Sequence, residues 1–324
     1  MPLLPISAII PTLNRSARLQ QTITSLLAQS VVPAEIIIID ASTPPENPGV
    51  LRQLAAHLIP APLIIVLTPI ERGAATQRNQ GQASATQPFL LFLDDDVDLE
   101  SGCVAALWSA LQADDQLGGC GAVITNQFYN PPGPTMRRIF HWLGCPADGS
   151  LAGRCCGPAL NFLPTLQGEG RPAGSSVDWL NLCCTLFRQP ALPQPALLPF
   201  FHGYSLLEDA ALTLHVSRNW RLAISPAARV YHDTRPAPYK NRTYAREKME
   251  VINRWFVMRH LLDRNDLGWD LRQFAYQGLM LLLSLSAPGG LRRFPAALAG
   301  KIAGWATVLL HGHQWRGYNR TPQL

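Results

Sequence analysis

In the stretch FLLFLDDDVDLE, residues 89–100, an apolar run meets Asp94, Asp95 and Asp96, with Asp98 one residue further on. Four kinds of chemistry use carboxylates clustered in this way. A solvated acidic turn asks nothing of its neighbours. A calcium loop would use Asp94, Asp96 and Asp98 at alternate positions, but Leu99 stands where such a loop needs glycine for its sharp turn. An ATPase acid would need a GxxxxGK[ST] loop to cradle phosphates, and the chain has none. The fourth is a clamp for a hard divalent cation. Carboxylate oxygens suit Mg²⁺ or Mn²⁺, which keep positions open for phosphate oxygens and offset the charge of a departing diphosphate. A leaving nucleoside diphosphate implies a transferase.

A second acidic pair lies in YSLLEDAALTLHVSRNW, residues 204–220, which reads as a helix with Leu206, Leu207, Ala210, Ala211 and Leu214 on its apolar side. Ser205 followed by Glu208 fits a capping box, which accounts for Glu208. It accounts less well for Asp209. A carboxylate in the first turn of a helix is expected to stay ionised, because the helix dipole favours negative charge there. His232 closes ARVYH at the end of an apolar run, and reads either as an ordinary polar residue or as a metal ligand. Trp179, in VDWLN, reads either as a core aromatic or as a platform for the C–H face of a sugar.

These residues need elements to hold them. SAII (7–10), EIIIID (35–40), LIIVL (63–67) and FLLFL (89–93) are short apolar runs, as expected of strands buried on both faces. Leu19, Ile23, Leu26 and Leu27 recur at helical spacing between the first two, and AATQRNQGQASA reads as a surface helix despite Gly81. Such alternation predicts an α/β fold with a mostly parallel sheet, and sheets of this kind bind ligands beyond the carboxyl ends of their strands. Asp94–Asp96 then face that cleft, and the ends of the first two runs deliver Thr12, Asn14, Arg15 and Asp40 to the same edge. Residues 126–175 are rich in Gly and Pro and read as an acceptor-side insertion or an ordinary long surface loop.

The chain has 324 residues, 47% hydrophobic and 15% charged, so it can bury a sizeable core and is not intrinsically disordered. Its first residues, MPLLPISAIIPT, lack the basic start of a secretory signal, which predicts a cytosolic chain. The seven cysteines include two adjacent pairs and no CxxC spacing, so buried thiols are expected rather than a metal or disulfide framework. Charge is unevenly spread. From residue 236 onward there are 13 Lys or Arg against 5 acids, whereas residues 1–235 carry 14 against 17. The basic tail contains a helical pattern over 244–262 and two apolar stretches, 274–288 and 294–312. The first is too short to span a bilayer and the second is interrupted by Lys301. Both suit helices lying in a membrane interface, with Arg292 and Arg293 drawn to an anionic leaflet. The other reading is a helical subdomain packed on the rest of the chain. No helix-turn-helix, zinc or RNP-like pattern points to nucleic acid.

Taken in order, IIPTLNR, IIIIDAS, ERGAATQRNQG, LFLDDD, VDWLNLCC, LLEDAALTLHVSRNW and PAARVYH resemble a family 2 glycosyltransferase of the GT-A fold, of the kind that builds bacterial polysaccharides and includes rhamnosyl- and galactofuranosyltransferases. The resemblance implies a catalytic domain over 1–235 and a basic helical region over 236–324. It implies that Asp94 and Asp96 hold Mn²⁺ or Mg²⁺ as a DxD motif, with His232 completing the metal shell. Asp95 would face the donor's ribose or sugar. Pro11, Thr12, Asn14, Arg15, Asp40 and Arg78 would line the nucleotide pocket. Asp209 would be the general base of an inverting transfer, with Glu208 and Trp179 on the acceptor or sugar side. Family members often carry a second acid after the one matching Asp40. Ala41 stands there in this chain, which leaves the base of the donor open. The expected partners are a nucleotide-sugar donor, a glycan or lipid-linked acceptor, and the inner face of a cell membrane. A sugar nucleotidyltransferase is the rival enzyme, but PTLNRSARL lacks its Gly-rich loop. A binding protein on an inactive transferase fold is the non-enzymatic rival.

Overall fold

The structure, a computed structural model, describes residues 2–46, 48–165, 175–203, 205–234 and 242–319. Part of the Gly- and Pro-rich stretch, 166–174, lies outside the described residues. The first elements alternate as expected: β1 (Leu3–Thr12), α1 (Ser16–Leu27), β2 (Val32–Asp40), α2 (Pro48–Ala55), β3 (Leu63–Leu67), α3 (Ala74–Ser84) and β4 (Phe89–Leu93). Next come β5 (Val97–Leu99), α4 (Cys103–Ala113), β6 (Leu117–Ile124), α5 (Pro134–Trp142), β7 (Cys155–Cys156), β8 (Leu160–Asn161) and β9 (Cys184–Arg188). The last are α6 (Glu208–Val216), β10 (Arg221–His232), α7 (Thr243–His260), α8 (Leu267–Ser284) and α9 (Gly290–His311). The chain divides into two compact units. One takes Met1–Asn130, Leu163–Gly203 and Glu208–Thr234, and the other Pro131–Phe162, Tyr204–Leu207 and Arg235–Leu324.

The first unit is an eight-stranded sheet in the order β3-β2-β1-β4-β9-β6-β10-β5. Strands β3, β2, β1 and β4 run parallel, β9 enters antiparallel between β4 and β6, and β10 returns parallel to β6. The expected α/β sheet of the GT-A type is therefore present, mixed at its centre by β9. The unbroken Ile runs reflect burial on both faces. Ile6, Ile10, Ile36 and Ile38 join Leu19, Ile23 and Leu26 of α1 in one cluster. Ile9 and Ile39 point the other way, toward α3: a Cβ on Gly81 would lie 2.4 Å from Ile9 Cγ2 and 2.9 Å from Ile39 Cδ1. Glycine at 81 is what lets α3 lie this close to the sheet.

The surface-helix reading of α3 needs correction. Its inward face is polar, with Gln77, Arg78 and Gln82 buried. Hydrogen bonds offset the cost of burying them. Gln77 Nε2 donates to the carbonyls of Thr12 (3.1 Å) and Ile39 (2.6 Å), pinning the ends of β1 and β2 together. Gln82 Nε2 donates to the Pro193 carbonyl at 2.9 Å.

In the second unit α7, α8 and α9 pack together with α5 and the short β7–β8 pair. Helix α8 begins earlier than its apolar run suggests, because Asp266 caps it and accepts the Trp269 N–H at 3.2 Å. No helix among the described residues is long and apolar enough to cross a membrane. All seven cysteines are free and buried, as expected of small apolar fillers.

Candidate active site

Strand β1 ends at Thr12 and β2 at Asp40, in register with one another. Strand β4 delivers Asp94, whose N–H donates to the Cys183 carbonyl at 3.0 Å. Three consecutive carboxylates emerging from a strand cannot all face one way, and each here has its own partner. Asp95 turns back into the protein, accepting the Thr12 hydroxyl (2.6 Å) and Arg15 Nη1 (3.0 Å). Burial outweighs those two bonds and pushes its carboxyl up to about 6. Asp96 accepts Arg15 Nη1 on Oδ2 at 2.6 Å and meets His232 Nε2 on Oδ1 at 3.1 Å. Burial alone would raise Asp96, but the hydrogen bond and charge of His232, with Arg15, hold it below the ordinary carboxylate range. Asp94 gives Oδ1 to Arg78 Nη2 at 2.5 Å, and its Oδ2 lies 3.7 Å from His232 Nε2.

Asp94, Asp96 and His232 thus present one ligand atom each, all within 4.8 Å of one another. The 3.1 and 3.7 Å separations suit neighbouring ligands on one cation, whose spacing at octahedral contacts near 2.1 Å is about 3 Å. Two carboxylate oxygens and an imidazole nitrogen form a set that Mn²⁺ accepts readily. Strand β10 carries the histidine, and residues just after β6 hold it. Asn126 Oδ1 accepts the His232 N–H at 3.1 Å, and Asn126 Nδ2 donates to the His232 carbonyl at 2.8 Å. Gln127 Nε2 lies 3.3 Å from His232 Nδ1. For Nε2 to offer its lone pair to a cation, Nδ1 must carry the proton and the Gln127 amide must present its oxygen instead.

Arg78 links this cluster to the second acidic pair. Its Nη1 donates to Glu208 Oε1 at 2.9 Å while Nη2 serves Asp94. Burial would lower the guanidinium, but Asp94 and Glu208 hold it above its ordinary value. Glu208 is itself buried and pushed up to about 7, and its Oε2 has no hydrogen-bond partner among the described residues. The expected capping box does not form. Leu207 adopts φ 66°, α6 begins at Glu208, and the Ser205 hydroxyl accepts Asn253 Nδ2 at 3.1 Å.

Asp209 does sit in the first turn of α6, its Oδ1 accepting the Ala210 N–H at 2.7 Å. The helix dipole does not set its proton affinity: burial dominates and moves the carboxyl up to about 6, which still leaves it mostly ionised at neutral pH. The charges of Arg78 and Asp94 also act on it, in opposite senses. Thr213 fixes the turn: its hydroxyl donates to the Asp209 carbonyl at 2.8 Å and accepts the Leu180 N–H at 3.2 Å.

The remaining expected residues are placed as follows. Asp40 is buried and accepts backbone N–H groups from Ser42 (2.8 Å) and Glu46 (2.5 Å), shaping the loop after β2. Asn14, at φ 54°, reaches the same loop through Ser42 and Thr43. Pro11 pairs with Ile39 inside the sheet. Trp179 is only 3% exposed, so protein rather than solvent covers its ring. Sequence reasoning missed Gln77, Asn126 and Gln127. Only their position beside strand ends could have signalled them.

Residues 7–149 match the family model described as Glycosyl transferase family 2. The match runs from within β1 to just past α5, and so includes the acidic triplet and Arg78, but stops before Glu208, Asp209 and His232. A search of curated proteins finds no match. Among solved structures, the mannosyltransferase PcManGT from Pyrobaculum calidifontis, in complex with GDP-Man and Mn²⁺, aligns over 97% of this chain and 81% of its own. It does so at 17% identity with a TM-score of 0.51, a likeness of fold. S. aureus TarS 1-349 aligns over 98% of this chain and 92% of its own at 15% identity and a TM-score of 0.45. GalNAc-T7 with UDP, GalNAc and Mn²⁺ aligns at 16% identity and a TM-score of 0.49 over 85% of this chain, which spans 55% of that protein's length. The match to glycosyl transferase family 2 is therefore to residues 7–149 of the 324, and the fold of the chain is of the GT-A type.

Proposed function

We propose that the chain is a metal-dependent, inverting glycosyltransferase that moves a sugar from a nucleoside diphosphate donor to a hydroxyl of a glycan or lipid-linked acceptor. We place it on the cytoplasmic face of a membrane, in polysaccharide biosynthesis. The observation that carries the reading is the convergence of Asp94, Asp96 and His232, joined through Arg78 to the acidic pair at the start of α6. PcManGT and GalNAc-T7, in the structures named above, hold Mn²⁺ with a nucleotide or nucleotide sugar.

In this reading Asp94, Asp96 and His232 hold the cation, which when bound offsets the charge on the leaving diphosphate. Arg15 and Arg78 add positive charge beside it, Arg15 by releasing Asp96 and turning to the phosphates. Thr12, Asn14, Asp40 and Pro11 shape the nucleotide end of the cleft, and Asp95 faces the donor once Arg15 has moved. Asp209 takes the proton of the acceptor hydroxyl as its oxygen bonds to the anomeric carbon, while the bond from that carbon to the diphosphate breaks on the opposite side. A carboxyl near 6 suits this, being mostly ionised at neutral pH yet basic enough to accept a proton. Glu208 keeps Arg78 in place, and Trp179 backs the segment that meets the sugar.

The test is a panel of nucleotide sugars with and without Mn²⁺, read by thermal shift and then by release of nucleoside diphosphate. Stabilisation by one donor, dependent on Mn²⁺, and a product of inverted anomeric configuration are expected. A chain that no nucleotide sugar stabilises with Mn²⁺ contradicts the reading.

A further inference from the structure

We propose that α8 and α9 together form a membrane-docking face, which inserts leucine side chains among the lipids of an anionic leaflet without spanning it. The inference rests on the membrane-surface reading above and names the face that would carry it.

The two helices are inside out for a water-soluble bundle. Helix α8 exposes Leu267 (70%), Leu271 (60%), Phe274 (62%) and Leu282 (64%), whereas its buried residues are Gln273 and Gln277. Helix α9 exposes Leu291, Ile302, Leu309 and Leu310, whereas its buried side holds Lys301 among the small residues Ala297, Gly300 and Gly304, with Val308. A surface helix in water arranges these the other way round, its polar residues outward and its apolar stripe inward. Ring contact between Phe274 and Trp305, centroids 5.7 Å apart, joins the stripes into one face. A contiguous apolar patch of this kind marks a protein or membrane contact rather than ordinary surface.

The inward side is built as helices pack in lipid, with small residues for close approach and polar groups as links. A Cβ on Gly300 would lie 2.5 Å from the Tyr244 carbonyl oxygen, and one on Gly304 2.9 Å from the Lys248 carbonyl oxygen, so α7 and α9 touch backbone to backbone at these two positions. Lys301 Nζ reaches Glu247 (2.7 Å) on α7 and Gln277 (2.5 Å) on α8. Polar groups bonded inside with leucine outside is an economy that makes sense where the surroundings are apolar.

Charge selects the occupant. The tail from 236 carries 13 Lys or Arg against 5 acids, and Arg292 and Arg293 are exposed in the first turn of α9. Trp142 is 58% exposed, and its carbonyl accepts Arg272 Nε at 3.2 Å, which sets an aromatic and a cation side by side as at a membrane–water boundary. A second copy paired on this face about a two-fold axis would bring like patches together, positive against positive. Anionic lipid headgroups complement the same charges.

The test uses the full chain with vesicles of phosphatidylcholine alone or mixed with phosphatidylglycerol, at low and high salt. Phe274→Glu and Ile302→Glu are compared with wild type after circular dichroism confirms their folding. Both sites are on the exposed stripes, so the fold does not need them. Wild type should bind the anionic vesicles, more weakly but still measurably at high salt, and each substitution should weaken binding about tenfold. Binding that vanishes at high salt and is indifferent to both substitutions would leave a charge-held membrane protein and overturn the leucine face. A chain that ignores vesicles but sediments as a dimer, dissociated by Phe274→Glu, would make the face a self-interface. A monomer that binds no vesicles would remove both the face and the membrane reading, while donor turnover measured in parallel reports on the transferase separately.

Discussion

Replacing Asp209 with asparagine should stabilise the metal-free protein while disabling it. Burial moves this carboxyl from its ordinary 3.8 up to about 6. A tenfold change in proton affinity is worth about 1.36 kcal/mol, so the ionised side chain costs the fold at most about 3 kcal/mol at neutral pH. The residue is only partly buried by surface area, and solvent reduces that figure. Asparagine keeps an oxygen for the Ala210 N–H but must house an amide nitrogen, so a net gain of roughly 1 to 2 kcal/mol remains. In a body of this size that is about 2 to 6 °C in Tm. The sign follows from linkage. An acid whose pKa is raised in the folded state makes the wild type lose stability as pH climbs from about 4 to about 6, and the deficit persists above that window. Below it the carboxyl is protonated in both folded and unfolded chains and the advantage of Asp209→Asn disappears. Calorimetry in chelator at pH above 7 and near 4 reads the stability, and donor turnover with Mn²⁺ reads kcat, which should fall by roughly 10² to 10⁴. A lower Tm at neutral pH, or the same gain at both, would refute the argument from burial. Full activity would refute the role as base.

Glu208 and Gly300 give further checks. Glu208→Gln retains the acceptor for Arg78 and should keep activity within about tenfold, whereas Glu208→Ala frees Arg78 onto Asp94 and should lower Mn²⁺ affinity by about 10- to 100-fold in titration calorimetry. Gly300→Val drives a side chain into the Tyr244 carbonyl and should destabilise the helical unit by about 1 to 3 kcal/mol or more, seen as an earlier loss of helical circular dichroism.

What could be read from the sequence was local. The Ile runs, the helical spacing of Leu19, Ile23 and Leu26, and the acidic triplet after FLLFL each announce themselves within a few residues, and the sheet and the edge where the acids gather follow from them. What escaped depends on distant partners. Arg78 and Glu208 are 130 residues apart, and nothing near Glu208 distinguishes a residue that pairs with Arg78 from one that closes a capping box. The positive φ of Leu207 decided between them. The polar face of α3 looked solvent-exposed because the carbonyls that satisfy Gln77 belong to β1 and β2. In the tail, composition gave helices with apolar and basic residues. Which side faces outward turned on Gln273, Gln277 and Lys301 finding partners inside.

The central claim is that Asp94, Asp96 and His232 hold a divalent cation for a nucleoside diphosphate. Titration calorimetry of UDP and GDP against the wild type, Asp96→Asn and His232→Ala, each with Mn²⁺ and with chelator, tests it most directly. Wild type should bind one of the two only with Mn²⁺. Both substitutions should abolish that dependence and leave the circular dichroism spectrum unchanged. Mn²⁺-dependent binding that survives Asp96→Asn at wild-type affinity would contradict the account.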